Sequence, residues 1–304
     1  MNAEFYAFGE ILWDCLPSGK HAGGAPFNVA AHLAQLGKSV SLISAVGQDA
    51  LGDEILAVAR DKGVDIGFVS RVRPGLPTGT VIATIDARGD ATYELVHPAA
   101  WDEITVGPAV LEAISRSRAF TFGSLAARSP YNLEQLDRLL EMKGPLKFLD
   151  VNLRPPFVDL AVVLHLARRA DVVKLNDDEL GRLAAFIQSG QFNSDTPRGL
   201  EAVANACVVL GNATDVSRIC VTLGEEGAAL WEDGEFVSTS APAVAVRDTV
   251  GAGDAFMAGL MAGLTSEKDR EEVLRNACRL GAFVASHHGA TPLVPQKMKN
   301  LFKR

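Results

Sequence analysis

Apolar residues along this chain fall into two kinds of run, and the two kinds alternate. Short continuous runs, closed by glycine or by a polar residue, read as strands buried on both faces. They occupy residues 5–8, closed by Gly9, then 40–46, 119–123, 146–152 and 171–176. Between them, small and apolar residues recur at helical spacing. The predicted helices cover residues 31–37, with Gly37 as C-cap, then 51–62, 108–115 and 131–141, and a further one opens at Asp177-Asp178-Glu179-Leu180. Repetition of strand, helix, strand predicts an α/β fold built from βαβ units. Towards the end come a strand, glycine turn and strand over 218–230, a strand-like run at 243–246, and helices over 255–264 and 271–287.

Two segments break the rhythm. Residues 10–16 alternate polar and apolar, as a strand with one wet face does. Residues 78–86 and 91–96 read as two strands joined by Ala87-Arg88-Gly89-Asp90, a β-hairpin inside a βα series. Together they predict a small β lid from about 11–24 and 77–97, a device that excludes water from a reaction. No linker is rich enough in Pro, Gly or Ser to split the chain, so 1–304 reads as one domain.

Composition narrows the partners. Of 304 residues, 29 are basic and 37 acidic, a net charge of -8 with no basic block. Nucleic acid and acidic membrane are therefore not expected as partners, and an anionic ligand needs local amides or metal to hold it. The N-terminus lacks a basic region followed by a long apolar run, so neither secretion signal nor membrane span is expected. Cys15, Cys207, Cys220 and Cys278 are scattered, without C-x-x-C spacing, as in a protein of the reducing cytoplasm. The six His form no H-E-x-x-H zinc motif.

The densest chemical signal is Asp248-Thr249-Val250-Gly251-Ala252-Gly253-Asp254, ahead of an apolar helix. Gly251, Ala252 and Gly253 leave backbone amides bare where the helix dipole is positive, which makes an anion site of main chain. Asp254 then has two readings: an N-cap, or a base that takes a proton from a hydroxyl attacking a phosphoryl group. Near the N-terminus, Gly23-Gly24-Ala25-Pro26-Phe27-Asn28 opens a helix. Gly23 and Gly24 let backbone approach a ligand, and the Asn28 amide both donates and accepts, which suits a neutral polyol. Asp14, between Trp13 and Cys15, is a candidate for sugar hydroxyls or a solvated strand-face residue.

Arg154 follows a strand end, where ligands of open α/β sheets bind, or else pairs with a surface carboxylate. Asn176 and Glu179 read as a capping pair or as hard oxygens serving magnesium through water. The glycine turn of 218–230 allows a flat base or ribose against backbone, with Val244, Val246 and the 271–287 helix as apolar walls. Two other motifs fail. Gly37-Lys38-Ser39 looks like the tail of a P-loop, but position 32 is His where glycine is needed. Gly251-Ala252-Gly253 begins a dinucleotide fingerprint, but position 256 is Phe.

Gly23-Gly24-Ala25-Pro26-Phe27-Asn28-Val29-Ala30 and the 248–254 stretch closely resemble the two signatures of the PfkB, or ribokinase-like, carbohydrate kinases. Asn176-x-x-Glu179 and Thr222-Leu223-Gly224-x-x-Gly227 match further motifs of that family in the expected order, and the resemblance runs from Phe5 to about Pro295. It implies a three-layer α/β/α fold with a mostly parallel central sheet, and transfer of a phosphoryl group from ATP, with magnesium, to a sugar. Asp254 is the implied base, beside the anion hole of Gly251, Ala252 and Gly253. Asp14, Gly23, Gly24, Asn28, Glu94 and Arg154 are implied at the sugar. Lys174, Asn176, Thr222, Gly224, Gly227 and Asn276 are implied at the nucleotide, and Glu179 at magnesium. Asp248, Val250, Val284, His287 and Gly289 match a monovalent cation site for potassium.

Within the family, Gly9-Glu10-Ile11-Leu12-Trp13-Asp14, Pro98-Ala99-Ala100-Trp101-Asp102 and Asp150-Val151-Asn152-Leu153-Arg154-Pro155 look most like bacterial fructokinases. The Asn-x-Arg element also occurs in 2-keto-3-deoxygluconate kinases. Fructose is thus the expected acceptor, with 2-keto-3-deoxygluconate or ribose as alternatives. An inactive sugar- or nucleotide-binding regulator is the rival of another class. A homodimer joined through the lid is also expected.

Overall fold

A computed structural model describes residues 3–16, 19–85, 91–190, 196–232 and 234–303. The chain begins with β1 (Phe5–Phe8), whose four residues are all buried. Alternate side chains go to opposite faces, as a strand requires. Tyr6 and Phe8 join one hydrophobic core, while Phe5 and Ala7 join another on the far side. Those two cores are the fillings of a three-layer α/β/α structure, and the continuous apolar runs exist because each strand faces both.

Two strands of a smaller sheet follow, β2 (Leu12–Leu16) and β3 (Gly19–Gly23), before α1 (Ala25–Gln35). Then come β4 (Val40–Val46), α2 (Ala50–Asp61) and β5 (Asp65–Arg71). The hairpin strands are β6 (Gly79–Ile85) and β7 (Ala91–Leu95); the expected turn at 87–90 lies outside the described residues. The α/β series resumes with α3 (Pro108–Ser115), β8 (Ala119–Gly123), α4 (Pro130–Leu140), β9 (Leu146–Asp150) and α5 (Leu160–Ala167). It continues through β10 (Val172–Asn176), α6 (Asp177–Ser189), α7 (Leu200–Thr214) and β11 (Arg218–Thr222). The last elements are β12 (Ala228–Glu232), β13 (Glu235–Thr239), α8 (Ala252–Leu264), α9 (Arg270–Ala285) and the short α10 (Gln296–Lys299).

Among the described residues the main sheet runs β13-β12-β11-β10-β9-β8-β1-β4-β5. It is parallel from β11 to β5, and β12 and β13 add antiparallel strands at one edge. After β1 the chain builds outward on one side through β4 and β5, then crosses to β8 and builds the other way. The reversal leaves a crevice beyond the carboxyl end of β1, the place where open α/β sheets bind ligands. The second sheet, β3-β2-β6-β7, pairs β2 with β6 in parallel and closes each end with an antiparallel strand.

The strand expected at 243–246 is absent: those residues carry no regular structure and are exposed. Their apolar side chains border a groove instead of entering a core.

Candidate active site

Gly251 is the N-cap of α8 and adopts a left-handed backbone, φ 78°, with no side-chain cap. A Cβ there would lie 2.5 Å from the Ala290 carbonyl oxygen, so glycine is needed for both conformation and space. Asp254 is therefore not the cap; it is the third residue of the helix. The N–H groups of Gly253 and Asp254 fall in the first turn, where a helix offers no acceptor of its own. A Cβ on Gly253 would stand 3.1 Å from Lys174 Nζ, which sets an ammonium directly behind these amides.

Across from the cradle lies the start of α1. Gly24, its N-cap at φ 106°, packs on the backbone of Glu10 and Ile11 at the end of β1. Asn28 is buried in the first turn, and its Nδ2 donates to Asp254 Oδ2 at 2.8 Å. Gly23 abuts the Asp14 carboxylate, with no room for a side chain between them. Asp14, on β2, is half-buried; burial raises its pKa, while His21 and Arg154 pull it back. Residues separated by 226 positions thus meet in one pocket.

Behind the pocket, Lys174 Nζ bonds both oxygens of Asp150, at 3.0 and 3.2 Å, and both side chains are buried. Burial alone would lower the lysine pKa, but Asp150, Glu179 and Asp254 more than offset it and the net shift is upward. Lys174 thus stays charged. Asp254 is pushed up to about 6, first by burial and then by Asp150, against opposing pulls from Asn28, Lys174 and Arg154. It nevertheless keeps part of its surface accessible.

A groove of about 790 Å³ runs from Gly253 between α9 and the 241–246 segment. Thr222, Gly224 and Gly227 border it on one side, and Gly281, Ala282 and Ala285 of α9 on the other. Val244 and Val246 stand in its rim as exposed apolar residues. Small residues on the helix wall leave space for a flat ring. At its inner end Asn176 caps α6: Oδ1 accepts from Glu179 N at 2.8 Å, and Glu179 Oε2 accepts from Asn176 N at 2.9 Å. Glu179 Oε1 accepts from Leu153 N at 2.8 Å. The capping reading of this pair is therefore correct. With each oxygen already on a backbone amide, buried Glu179 fits magnesium only through water. Among the described residues no group of three or more His, Cys, Asp or Glu stands ready to bind a metal directly.

Asp248 ties the neighbouring loops together, accepting from Val250 N and Gly289 N, each at 3.0 Å. The Val284 carbonyl accepts from His287 N at 2.9 Å. Of the five positions matched to a cation site, Val284 lies in the last turn of α9 and the other four in the loops beside that helix end.

A model of the pfkB family carbohydrate kinases matches residues 9–297, nearly the whole chain. The chain belongs to that family. It is 29% identical to fructokinase-1 of Oryza sativa subsp. japonica over 97% of this chain and 95% of that one. It is 28% identical to the fructokinase of Klebsiella pneumoniae, over 98% of each. A solved structure of fructokinase from Vibrio cholerae O395, bound to fructose, ADP and calcium, superposes with TM-score 0.78 at 25% identity, covering 99% of each chain.

Not every residue matched to the pfkB pattern reaches the pocket. Asn276 is buried on α9, its Nδ2 3.4 Å from both Glu272 Oε1 and the Leu301 carbonyl; it does not line the nucleotide groove. Helical spacing alone gave no means of telling which face of α9 it occupied. Glu94 is exposed on β7, opposite Ile82. Arg154 is also exposed, yet its charge is felt at Asp14, Glu10 and Asp254.

Two carboxyls escaped the sequence reading. Asp150, the last residue of β9, faces Lys174 in the middle of β10 in register. A lysine inside one apolar strand and an aspartate closing its neighbour are the available signal. Glu10 follows Gly9 at the end of β1, and its Oε1 accepts from Ala25 N at 3.2 Å, capping α1 from outside the helix. Its lone acidic side chain after a buried strand could have marked it.

Proposed function

We propose that this chain is an ATP-dependent sugar kinase that phosphorylates a primary hydroxyl, with fructose as substrate and fructose 6-phosphate as product. The observation that carries the reading is Asp254 itself. A partly accessible carboxylate stands in the first turn of a glycine-opened helix, held by Asn28 from the polyol side and backed by buried Lys174. The fructokinases that resemble this chain along its whole length support the choice of sugar.

In this reading Asp14, Gly23, Gly24 and Asn28 hold the sugar, and the groove beyond Gly253 takes the nucleotide. Asp254 removes the proton of the attacking hydroxyl. A carboxylate near pH 6 is still ionised at neutral pH and is a better base than an ordinary aspartate, whose pKa is about 3.9. The amides of Gly253 and Asp254, with the Lys174 ammonium behind them, stabilise charge on the transferring phosphoryl oxygens. Magnesium, reached from Glu179 through water, supplies charge neutralisation between the phosphates when bound. Potassium would sit in the loop cluster that Asp248 organises.

One observation favours a second sugar. Exposed Arg154 places a guanidinium within electrostatic reach of the pocket, as an acidic sugar such as 2-keto-3-deoxygluconate would need. A coupled ADP-release assay with fructose, ribose, 2-keto-3-deoxygluconate, tagatose and a nucleoside separates the readings. Fructose should give the highest kcat/KM. ADP release with none of these sugars would leave the inactive binding protein.

The β3-β2-β6-β7 sheet acts as the lid in this proposal. Ile82 on β6 is a large apolar side chain 44% exposed, and a second copy of the chain would cover it. Light scattering at working concentration should therefore report a dimer; a monomer would reject the clasp. A cytoplasmic setting fits the four free cysteines. Among the described residues no helix is long and apolar enough to cross a membrane.

A further inference from the structure

Two buried oxygens beside the proposed base have no hydrogen-bond partner: Glu10 Oε2 and Asn28 Oδ1. Orphaned acceptors of this kind cost free energy, so two of them around one helix turn call for an explanation. Both side chains lie at the first turn of α1. Glu10 reaches it through its other oxygen, on Ala25 N, and Asn28 lies within it, its own N–H bonded to the Gly24 carbonyl at 2.9 Å. Glu10 is 3% exposed and Asn28 5%, so bulk water does not relieve either oxygen. A carboxylate and an amide carbonyl are both acceptors and cannot satisfy one another. A single proton on Glu10 changes that.

We propose that Glu10 works as a neutral carboxylic acid that donates from Oε2 to Asn28 Oδ1, and so positions the Asn28 amide whose Nδ2 holds Asp254. The proposal rests on the kinase reading for its activity tests. It makes Glu10 a positioning residue, acting through Asn28 on the base. The chain of contacts is Glu10 to Asn28 to Asp254, two hydrogen bonds long. It also fixes which way round the Asn28 amide sits, because only one orientation offers its oxygen to Glu10 and its nitrogen to Asp254.

The surroundings favour the protonated form. Burial pushes Glu10 up to about 7, opposed by its own backbone N–H and that of Ala25; Asp254 on α8 adds to the rise, and the Arg154 charge beyond β9 opposes it. Around Asp254 the charged groups are Asp150, Lys174 and Arg154. Asp254 must be ionised to act as base while Glu10 keeps its proton. Activity therefore falls as pH drops through the Asp254 value and falls again as pH rises through the Glu10 value, which gives a bell.

The test is the pH profile of kcat/KM for wild type, E10Q and E10A, together with a 13C NMR titration of carboxyl-labelled wild-type protein without substrates. Glutamine carries a permanent N–H donor of the same shape and an oxygen for Ala25 N. E10Q should retain turnover within about threefold of wild type at pH 6.5 and lose the alkaline limb, while E10A should lose about tenfold or more from a displaced base. In the titration Glu10 should remain protonated well above the ordinary glutamate value of about 4.3. An alkaline limb unchanged in E10Q, or a Glu10 resonance already ionised at pH 5.5, overturns the proposal. The titration needs no turnover, so it stands even if the kinase reading fails; an active enzyme with an unmoved profile sinks this inference alone.

Discussion

Asp254 takes its character from its neighbours. A solvated aspartate would be too weak a base to help before the hydroxyl had nearly lost its proton. Burial and Asp150 raise it to about 6, while the Asn28 amide and the Lys174 and Arg154 charges keep it from rising further. The acid limb of kcat/KM should therefore lie near pH 6, because activity needs the carboxylate and disappears as pH falls through its pKa. A pH profile measured in wild type checks this, and an acid limb near pH 4 would show an unperturbed carboxyl.

At this scale the sequence was informative about glycines and less so about charges. Gly251 and Gly24 have left-handed backbones and neighbours that a Cβ would strike, so the motif could use no other residue. The pairing of Lys174 with Asp150, and the cap that Glu10 places on Ala25, depend on strands and helices meeting in space. No local pattern carries that information.

Among the elements, α1 does two jobs. Its first turn holds Asn28 against Asp254, and its later turns hold the loop that packs on Gly251. His32 Nε2 lies 2.9 Å from the Ala290 carbonyl, and Gln35 bonds the Pro292 carbonyl and Val294 N. Burial pushes His32 down to about 4, so the ring is neutral and Nε2 donates to the carbonyl. One helix therefore ties Asp254 to the loop that packs on Gly251.

The lid has a comparable anchor. Arg128 pairs with Asp102 at 2.8 and 2.9 Å and lies over the Trp101 ring at 3.9 Å. Trp101, fully buried, presses against Gly79 at the start of β6. G79A should unseat the root of the lid, because the indole has nowhere to move. The expected result is a rise in KM for the sugar of about tenfold, with a smaller change in kcat. Equal falls in kcat and kcat/KM would place the defect in the chemistry instead.

Several elements were hidden from the sequence for identifiable reasons. β3 is Gly-Lys-His-Ala-Gly, without alternation or β-formers, and is a strand only because β2 supplies its hydrogen bonds. The 243–246 run looked like a strand, yet the edge position belongs to β13, paired antiparallel to β12. α8 begins at Ala252, earlier than the apolar run suggested, which is what carries Asp254 into the helix.

For the whole molecule the central fact is where the sheet changes direction. β1 lies between β4 and β8, and Glu10 just beyond β1, Asp150 at the end of β9 and Lys174 within β10 gather near the first turn of α8. This also explains how a chain of net charge -8 accommodates a polyphosphate. In the proposed site the attraction would come from helix amides and the Lys174 ammonium at contact range, while charges farther off than the Debye length of about 8–10 Å are screened. The alternating runs made the layers legible in advance, and the two glycine motifs marked both halves of the site. Their meeting across the crevice is a property of the fold.

The most direct test is ADP release by D254N, measured with saturating ATP, magnesium and fructose in a variant whose thermal unfolding matches wild type. Turnover should fall by at least ~10²-fold, the low end for loss of a general base. Turnover close to wild type would remove Asp254 from the role of base.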